Sequence, residues 1–165
     1  MKREVFIHFS FWISIFIIIS VIKNNLGLSY IPFFIGGVVG TILPDIDHLL
    51  YVYLIKPQEL TSQRFQEMLK NKEIFRSVDL LYETREERKN LIFHTKFFQG
   101  LFLIVLFFVM SSSGSIFGKG LTLAFALHLA IDHMIDIYDL NRFDNTNEKI
   151  YWFMGMALTI VIGFM

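Results

Sequence analysis

The sequence contains no cysteine and only three prolines among its 165 residues. The absence of cysteine excludes disulfides and thiolate metal ligands, and it leaves the redox compartment undetermined. Acidic and basic residues balance at 15 each, and no nucleic-acid partner is expected. Only 18% of the chain is charged, whereas 54% is hydrophobic and 19 residues are phenylalanine. This composition is not that of a soluble globule, and the length is that of one domain.

Long apolar runs determine the predicted fold class. They cover about residues 5–22, 30–48, 91–110, 120–137 and 150–165. Each approaches the roughly 20 residues that cross a bilayer core as a helix. We therefore predict a single all-α membrane domain, an integral bundle of four to five transmembrane helices, with the fifth run the shortest. No small-residue cleavage site follows the first run, so we expect it to be an uncleaved anchor.

The basic residues are strongly segregated along these runs. With five spans, Lys23 and Lys119 fall on one side of the membrane and the other thirteen lysines and arginines fall on the opposite side. Basic residues concentrate on the cytoplasmic side of membrane proteins. The sequence thus predicts a multi-pass protein of the inner membrane, with its N-terminus in the cytoplasm and its C-terminus outside.

A charged insertion separates the second and third runs at residues 57–90. Apolar residues recur in it at helical spacing, so we expect one or two amphipathic helices on the membrane surface or over the inner mouth of the bundle. The pattern Thr84-Arg85-Glu86-Glu87 is typical of a capping box, from which the third membrane helix would begin. The insertion is predicted to bury Phe65, Ile74, Val78 and Leu81 against the membrane or the bundle.

The second run contains two features that affect helix packing. Gly36 and Gly40 are four residues apart, a spacing that allows close helix contact, although glycines scattered in a membrane helix would look the same. Pro44 is expected to kink or break this helix where Asp45 begins, because proline cannot donate the helical hydrogen bond. The backbone groups released there would need partners in a protein-lined cavity.

Ionisable residues recur at one end of the predicted helices. Placing an aspartate at the centre of a membrane helix costs about 2.5–3.5 kcal/mol on insertion scales, so repeated acceptance of that cost indicates a site. Because successive spans run in opposite directions, all of these residues are expected near the cytoplasmic face of the membrane, with His128 somewhat deeper in the bilayer. The residues are His8, Asp45, Asp47, His48, His94, His128, Asp132, His133 and Asp136.

The fourth helix contains the strongest pattern. His128, Asp132 and Asp136 are four residues apart and therefore lie on one helix face. A His-x-x-x-Asp pair can ligate one metal ion, and Asp136 could orient a ligand from behind. His133 points about 100° away from Asp132 and is assigned at most a similar supporting role. The alternative is a polar face that hydrogen-bonds to neighbouring helices.

Imidazole and carboxylate groups together are the ligands of a divalent metal site. We predict as ligands His8, Asp45, His94, His128 and Asp132. Asp47 or His48 would be a further ligand or a catalytic general base. Zinc suits such a donor set, as do manganese and iron.

Each of the weaker signals has a plainer interpretation. Asp45 or Asp47 could merely cap the helix that follows Pro44, and a lone His8 or His94 would more often be structural. Three basic residues precede His94 and could present a cation to an anionic group, but a solvated positive flank is the better interpretation of them. These are Arg85, Arg88 and Lys89.

These elements, taken in order, resemble a known family. Ile7-His8, Leu43-Pro44-Asp45-Ile46-Asp47-His48, Phe93-His94-Thr95 and Leu127-His128 through Asp132 resemble the inner-membrane proteins described as membrane-bound metal-dependent hydrolases, which include LexA-regulated members. The resemblance covers residues 8 to about 136 and implies a hydrolase with a divalent metal. The chain departs from the family pattern at Lys89 and Asn90, where the family has His and Arg. The insertion at 57–90 resembles one that is peculiar to a subgroup of the family.

The sequence supports three functions. The first is a membrane-embedded, metal-dependent hydrolase of an ester or phosphoester, with a lipid head group as one candidate substrate, acting from a pocket open to the cytoplasm. The second is a transporter of metal ions or protons, since intramembrane Asp and His also mark ion pathways. The third is a non-catalytic membrane scaffold stabilised by a metal. The bilayer is the expected partner in all three.

Overall fold

The computed structural model describes residues 2–88, 91–138 and 146–165, which are mostly helical and contain no strand. Within helices, the side chains of residues 2–4, 86, 136–138, 146–149 and 152 lie outside the description. The α-helices are α1 (Lys2–Ile22), α2 (Ile31–Ile42), α3 (Ile46–Leu50), α4 (Leu60–Lys70), α5 (Ile74–Glu83), α6 (Lys96–Ser112), α7 (Ile116–Tyr138) and α8 (Thr146–Gly163). The predicted all-α class is confirmed.

Two of these helical stretches are long and apolar enough to cross a membrane. They are Val5–Ile22, which is most of α1, and Leu28–Ile55, which includes α2 and α3. Shorter apolar helices occupy Lys96–Ser112 and Phe153–Gly163. The described residues thus contain two candidate spans where the sequence predicts four to five.

Helices α2 and α7 form the closest helix pair in the fold. A Cβ atom added at Gly36 or Gly40 would overlap the backbone of α7 at Phe117 or Leu121. From the other side, a Cβ at Gly120 would overlap the backbone at Phe33. The close contact predicted from Gly36 and Gly40 is therefore confirmed, and it fixes α2 against the helix that carries His128 and Asp132.

One face of α1 completes the core beside these two helices. Trp12, Phe16 and Ile19 are buried on that face, and the Phe16 ring stacks on that of Phe33 with centroids 4.2 Å apart. His8 lies four residues before Trp12, on the same face, because residues four apart align along a helix. The periodicity that builds the apolar core of α1 thus also carries His8 into the interior.

The second run changes helix type around Pro44, as predicted. Helix α2 ends at Ile42, a 3-10 turn covers Leu43–Asp45, and α3 resumes at Ile46. A π-helical turn, Tyr51–Ile55, then ends the run. Since proline lacks the backbone N–H, the regular α pattern cannot pass through it. This tighter turn sets the directions in which Asp45, Asp47 and His48 point.

The insertion is helical, as predicted, and consists of α4, α5 and a 3-10 turn at Arg85–Glu87. Phe65 and Leu81 are buried, which confirms two of the four expected contacts. Ile74 and Val78 are 58% and 37% exposed, so the bundle does not bury them, and their burial against the membrane stays a prediction. Helix α5 turns the face of Ser77 and Leu81 inward, and Ile74 and Val78 lie about 60° from that face.

The third predicted membrane helix begins later than the capping-box pattern indicates. Thr84 donates its hydroxyl to the carbonyl of Leu80, and α6 begins only at Lys96. Its N-cap is Thr95, whose Oγ1 accepts a hydrogen bond from Phe98 N. His94 therefore lies in a turn before α6. Helix α7 begins at Ile116, four residues before the predicted run, so Lys119 lies in its first turn.

Candidate metal centre

The carboxylate of Asp132 is the centre of the polar cluster. Its Oδ1 lies 3.2 Å from Nε2 of His8 on α1. Its Oδ2 lies 2.9 Å from Nε2 of His94 and 3.3 Å from Nε2 of His128. Asp132 is 4% exposed, and so costly a burial requires compensation by partners of this kind. Imidazoles from α1, α7 and the turn before α6 thus meet on one carboxylate.

Three of these residues form a group that could hold a metal ion. His8, His128 and Asp132 are all buried, and each offers a ligand atom within 4.8 Å of the others. The rings of His8 and His128 lie side by side, with centroids 4.2 Å apart. Two nitrogen donors and one carboxylate are a donor set used by zinc and other divalent ions.

The hydrogen bonding of His128 provides a test of this fit. Both of its ring nitrogens are buried, and neither makes a well-directed hydrogen bond with a described residue, although Nε2 lies 3.3 Å from Asp132 Oδ2. A buried polar atom left without a hydrogen bond costs about 1–3 kcal/mol. Two donors bonded to one tetrahedral zinc ion lie about 3.4 Å apart, close to the spacing of these side chains. The residues present therefore fit a divalent cation.

Asp45 and His94, the other two predicted ligands, also reach this cluster. Asp45 Oδ1 lies 3.7 Å from His128 Nε2, and its side chain is half exposed. Asp45 occupies the N-cap position of α3 but makes no capping hydrogen bond, so the capping interpretation fails for it. His94 contacts Asp132 through Nε2. The structure thus brings together all five predicted ligands, with His8, His128 and Asp132 in the tightest arrangement.

Asp47 lies behind the cluster and contacts His94. Its side chain is fully buried, and its Oδ2 accepts a hydrogen bond from Phe93 N at 2.6 Å. The same oxygen lies 3.4 Å from Nδ1 of His94. A carboxylate on the far nitrogen of a histidine fixes the tautomer and orientation of the ring. The geometry therefore makes Asp47 a positioning residue for His94.

His48 is held by an arginine from the insertion. Arg88 donates from Nε to His48 Nδ1 at 3.1 Å and from its terminal nitrogens to Thr84 Oγ1 and the Leu81 carbonyl. Burial lowers the pKa of Arg88 to about 10, so the guanidinium remains charged at neutral pH. Because Nδ1 of His48 accepts, Nε2 carries the proton in the neutral ring.

A second arginine reaches the centre itself. Arg85 places a terminal nitrogen 3.1 Å from Asp132 Oδ1, and its side chain is 17% exposed. The interpretation of Arg85 and Arg88 as a solvated flank is therefore wrong, because both guanidiniums contact site residues. Lys89 lies outside the described residues.

A cavity of about 120 Å³ opens beside Asp132. The site residues in its wall are His8, Asp45, His48, Arg85 and Asp132, and the insertion adds Leu81 and Tyr82. Asp45 and His48, three residues apart in the chain, share this wall. The insertion thus builds part of the site, which its sequence pattern did not indicate.

His133 and Asp136 are predicted to orient metal ligands without binding the metal, and the structure describes the side chain of His133 alone. His133 is buried on the α6 side of α7, with Nε2 3.0 Å from Gln99 Oε1, so it contributes a hydrogen bond between two helices. Gln99 itself has no sequence signal beyond being one polar residue in an apolar helix. The side chain of Asp136 lies outside the described residues.

The chain has no significant match among protein-family models, curated proteins or solved structures. A functional assignment therefore depends on the residues and on the geometry of the site.

Proposed function

We propose that this chain is a multi-pass inner-membrane protein of four to five spans, with its N-terminus in the cytoplasm. The two candidate spans Val5–Ile22 and Leu28–Ile55 support membrane insertion. The one-sided distribution of lysine and arginine supports the orientation. In this orientation the insertion at 57–90 is cytoplasmic, and the cavity that it helps to line opens at the cytoplasmic ends of α1 and α2.

We further propose that the cluster around Asp132 is the centre of a metal-dependent hydrolase. The observation that carries this proposal is the buried group of His8, His128 and Asp132, whose ligand atoms converge from two helices. Asp45 and His94 are close enough to complete the ligand set. Zinc suits these donors best, and manganese or iron would also bind.

A divalent ion bound here would supply Lewis acidity and would lower the pKa of a water molecule toward neutrality. The protein's own residues provide the rest. Asp47 holds His94 in place, and Arg88 fixes the tautomer of His48. A neutral His48 with its proton on Nε2 would donate a hydrogen bond to the substrate or leaving group, so a donor role suits it better than the predicted role of general base.

The position of the cavity favours a substrate that approaches from the bilayer or its surface. The cavity lies at the ends of membrane helices and beneath the amphipathic insertion, a place that lipid head groups reach easily. We therefore propose hydrolysis of an ester or phosphoester, with a lipid-linked compound as the preferred class.

The resemblance to membrane-bound metal-dependent hydrolases is consistent with this proposal. The residues that carry it, from His8 through Asp45 and His94 to Asp132, are among those that meet in the site. The proposal extends that family's hydrolase assignment to this chain as a divergent member.

A specific observation favours the non-catalytic scaffold as a second candidate. Both oxygens of Asp132 already have protein partners, from Arg85 and the surrounding imidazoles, and such a network could serve only to hold helices together. Metal analysis of the purified protein, combined with a screen of ester and phosphoester substrates, separates the two. The hydrolase requires bound metal and turnover, whereas the scaffold shows no turnover.

A further inference from the structure

The arginines of the insertion point to the substrate class of this site. We propose that Arg85 is the residue that recognises an anionic phosphate group, and that it does so by leaving Asp132 when a divalent ion binds there. This inference rests on the proposed metal centre. It adds that the substrate is a phosphoester, and that a segment outside the metal ligands selects it.

The first argument is competition for one carboxylate. Arg85 lies 3.1 Å from Oδ1 of Asp132, and His8, a member of the metal-binding group, lies 3.2 Å from the same oxygen. A guanidinium and a divalent ion on one carboxylate repel each other at short range in a buried site, where that repulsion is strong. Arg85 thus lies at one of the positions from which a cation would neutralise Asp132.

The second argument is charge balance. Three carboxylates, those of Asp45, Asp47 and Asp132, and two guanidiniums, those of Arg85 and Arg88, lie in or directly behind the cavity wall. With the histidines neutral, as metal-ligating histidines are, these five groups, which are counted among the described side chains alone, carry one excess negative charge. A divalent ion reverses the balance to one excess positive charge, which an anion in the cavity would neutralise.

The third argument is the environment of Arg85. Its side chain is 17% exposed and lines the cavity. A guanidinium that leaves Asp132 remains within reach of an anion bound in the cavity, because its side chain lines the cavity wall. The guanidinium fork matches the oxygens of a phosphate, to which it donates two parallel hydrogen bonds. A neutral carboxylic ester offers no such charge, so Arg85 would discriminate against it.

The test measures two affinities of the full-length protein in detergent, for zinc and for inorganic phosphate on the zinc-loaded form. Arg85→Gln should weaken phosphate binding about 10- to 100-fold, the range expected for charge-assisted hydrogen bonds. It should leave zinc binding equal or tighter, because a competitor for Asp132 is removed. Arg85→Lys keeps the charge without the fork and should fall between the two.

Arg76→Gln is the matched control. Arg76 is on α5, 76% exposed and paired with Glu73, so both affinities should remain those of the wild type. A short-chain phosphatidic acid, used as a second probe, identifies the source of the phosphate. Tighter Arg85-dependent binding of this lipid indicates a membrane substrate, and tighter binding of inorganic phosphate a soluble one. Either result supports the proposal.

Two results would overturn it. If Arg85→Gln leaves phosphate affinity unchanged, Arg85 does not bind the anion. If it weakens zinc and phosphate binding together, while Arg85→Lys restores neither, Arg85 is structural. A wild-type protein that binds no stoichiometric zinc would instead remove the metal centre itself, a failure of the proposed function that is visible before any variant is made.

Discussion

Asp132 Oδ2 lies 2.9 Å from His94 Nε2, although the two residues are 38 positions apart in the chain and belong to different structural elements. Asp47, which precedes His94 by 47 positions in the chain, contacts the other nitrogen of the same ring. The imidazole is thus held between two buried carboxylates. An arrangement of this kind both orients a metal ligand and ties the turn before α6 to α3 and α7.

Asp47→Asn should lower metal affinity about 10- to 100-fold, the usual effect of removing an orienting partner from a ligating histidine. The variant keeps the size of the side chain but loses the charge that fixes His94. Metal titration followed by calorimetry measures the change. Asp79→Asn, at an exposed position on α5, is the control and should bind metal as the wild type does. Equal metal affinity in Asp47→Asn and wild type would show that the charge of Asp47 does not position His94 as a metal ligand.

Gly40→Ala should destabilise the bundle by about 1–3 kcal/mol, because the added Cβ would overlap the backbone of Leu121 and force α2 away from α7. Gly100→Ala is the matched control, since a Cβ at Gly100 meets nothing within 4 Å. It should be neutral or stabilising, because alanine favours a helix over glycine by about 1 kcal/mol. Thermal unfolding in detergent compares them. Equal melting temperatures of Gly40→Ala and wild type would contradict the close α2–α7 contact.

Polar substitution of Ile74 and Val78 should leave the fold and the metal content unchanged, since both side chains are exposed on α5 and surface changes usually cost under about 0.5 kcal/mol. The double variant should bind lipid vesicles more weakly, as measured by co-sedimentation of the protein in nanodiscs with added vesicles.

Leu81→Ala provides the contrast to this double variant. Leu81 is buried and lines the cavity, so its truncation should cost about 2–5 kcal/mol and weaken the site. Loss of metal in the Ile74 and Val78 double variant would mean that this outer face also supports the site.

The proposed topology predicts that a reporter fused after Met165 reads as external and that one placed in the insertion, after Lys72, reads as cytoplasmic. The reason is the excess of lysine and arginine on the side of the insertion. A cytoplasmic signal from both fusions would mean that the chain crosses the membrane an even number of times. An inverted pair of signals would show that the charge distribution does not set the orientation.

Local periodicity was sufficient to predict part of the site. The four-residue spacing of His128 and Asp132 places them on one face of α7, and the core spacing of α1 directs His8 inward. Convergence of His8, Asp45 and His94 on that face was expected from alternating spans with ionisable groups at one end, a topology that itself stays a prediction. These are properties of single helices and of their order, which a sequence displays directly.

The contributions of the insertion could not be predicted in this way. Arg85 and Arg88 looked like a solvated flank because their partners, Asp132 and His48, lie about 40 or more positions away, and no periodicity links them. The direction of Asp47 depends on the 3-10 turn at Pro44, which shifts the helical register by an amount that the sequence does not specify. The capping-box pattern at Thr84 failed for a local reason, since its hydroxyl bonds backward to Leu80.

The most direct test of the metal centre is elemental analysis of the purified wild-type protein beside Asp132→Asn, with thermal unfolding of both. We expect about one zinc, manganese or iron per wild-type chain and almost none in the variant. The variant should also be less stable by about 3–5 kcal/mol, because Arg85 and the imidazoles lose the buried anion that they surround. Turnover of an ester or phosphoester should disappear with the metal. A wild-type protein without stoichiometric metal, together with an Asp132→Asn variant that is equally stable or more stable, would contradict the account.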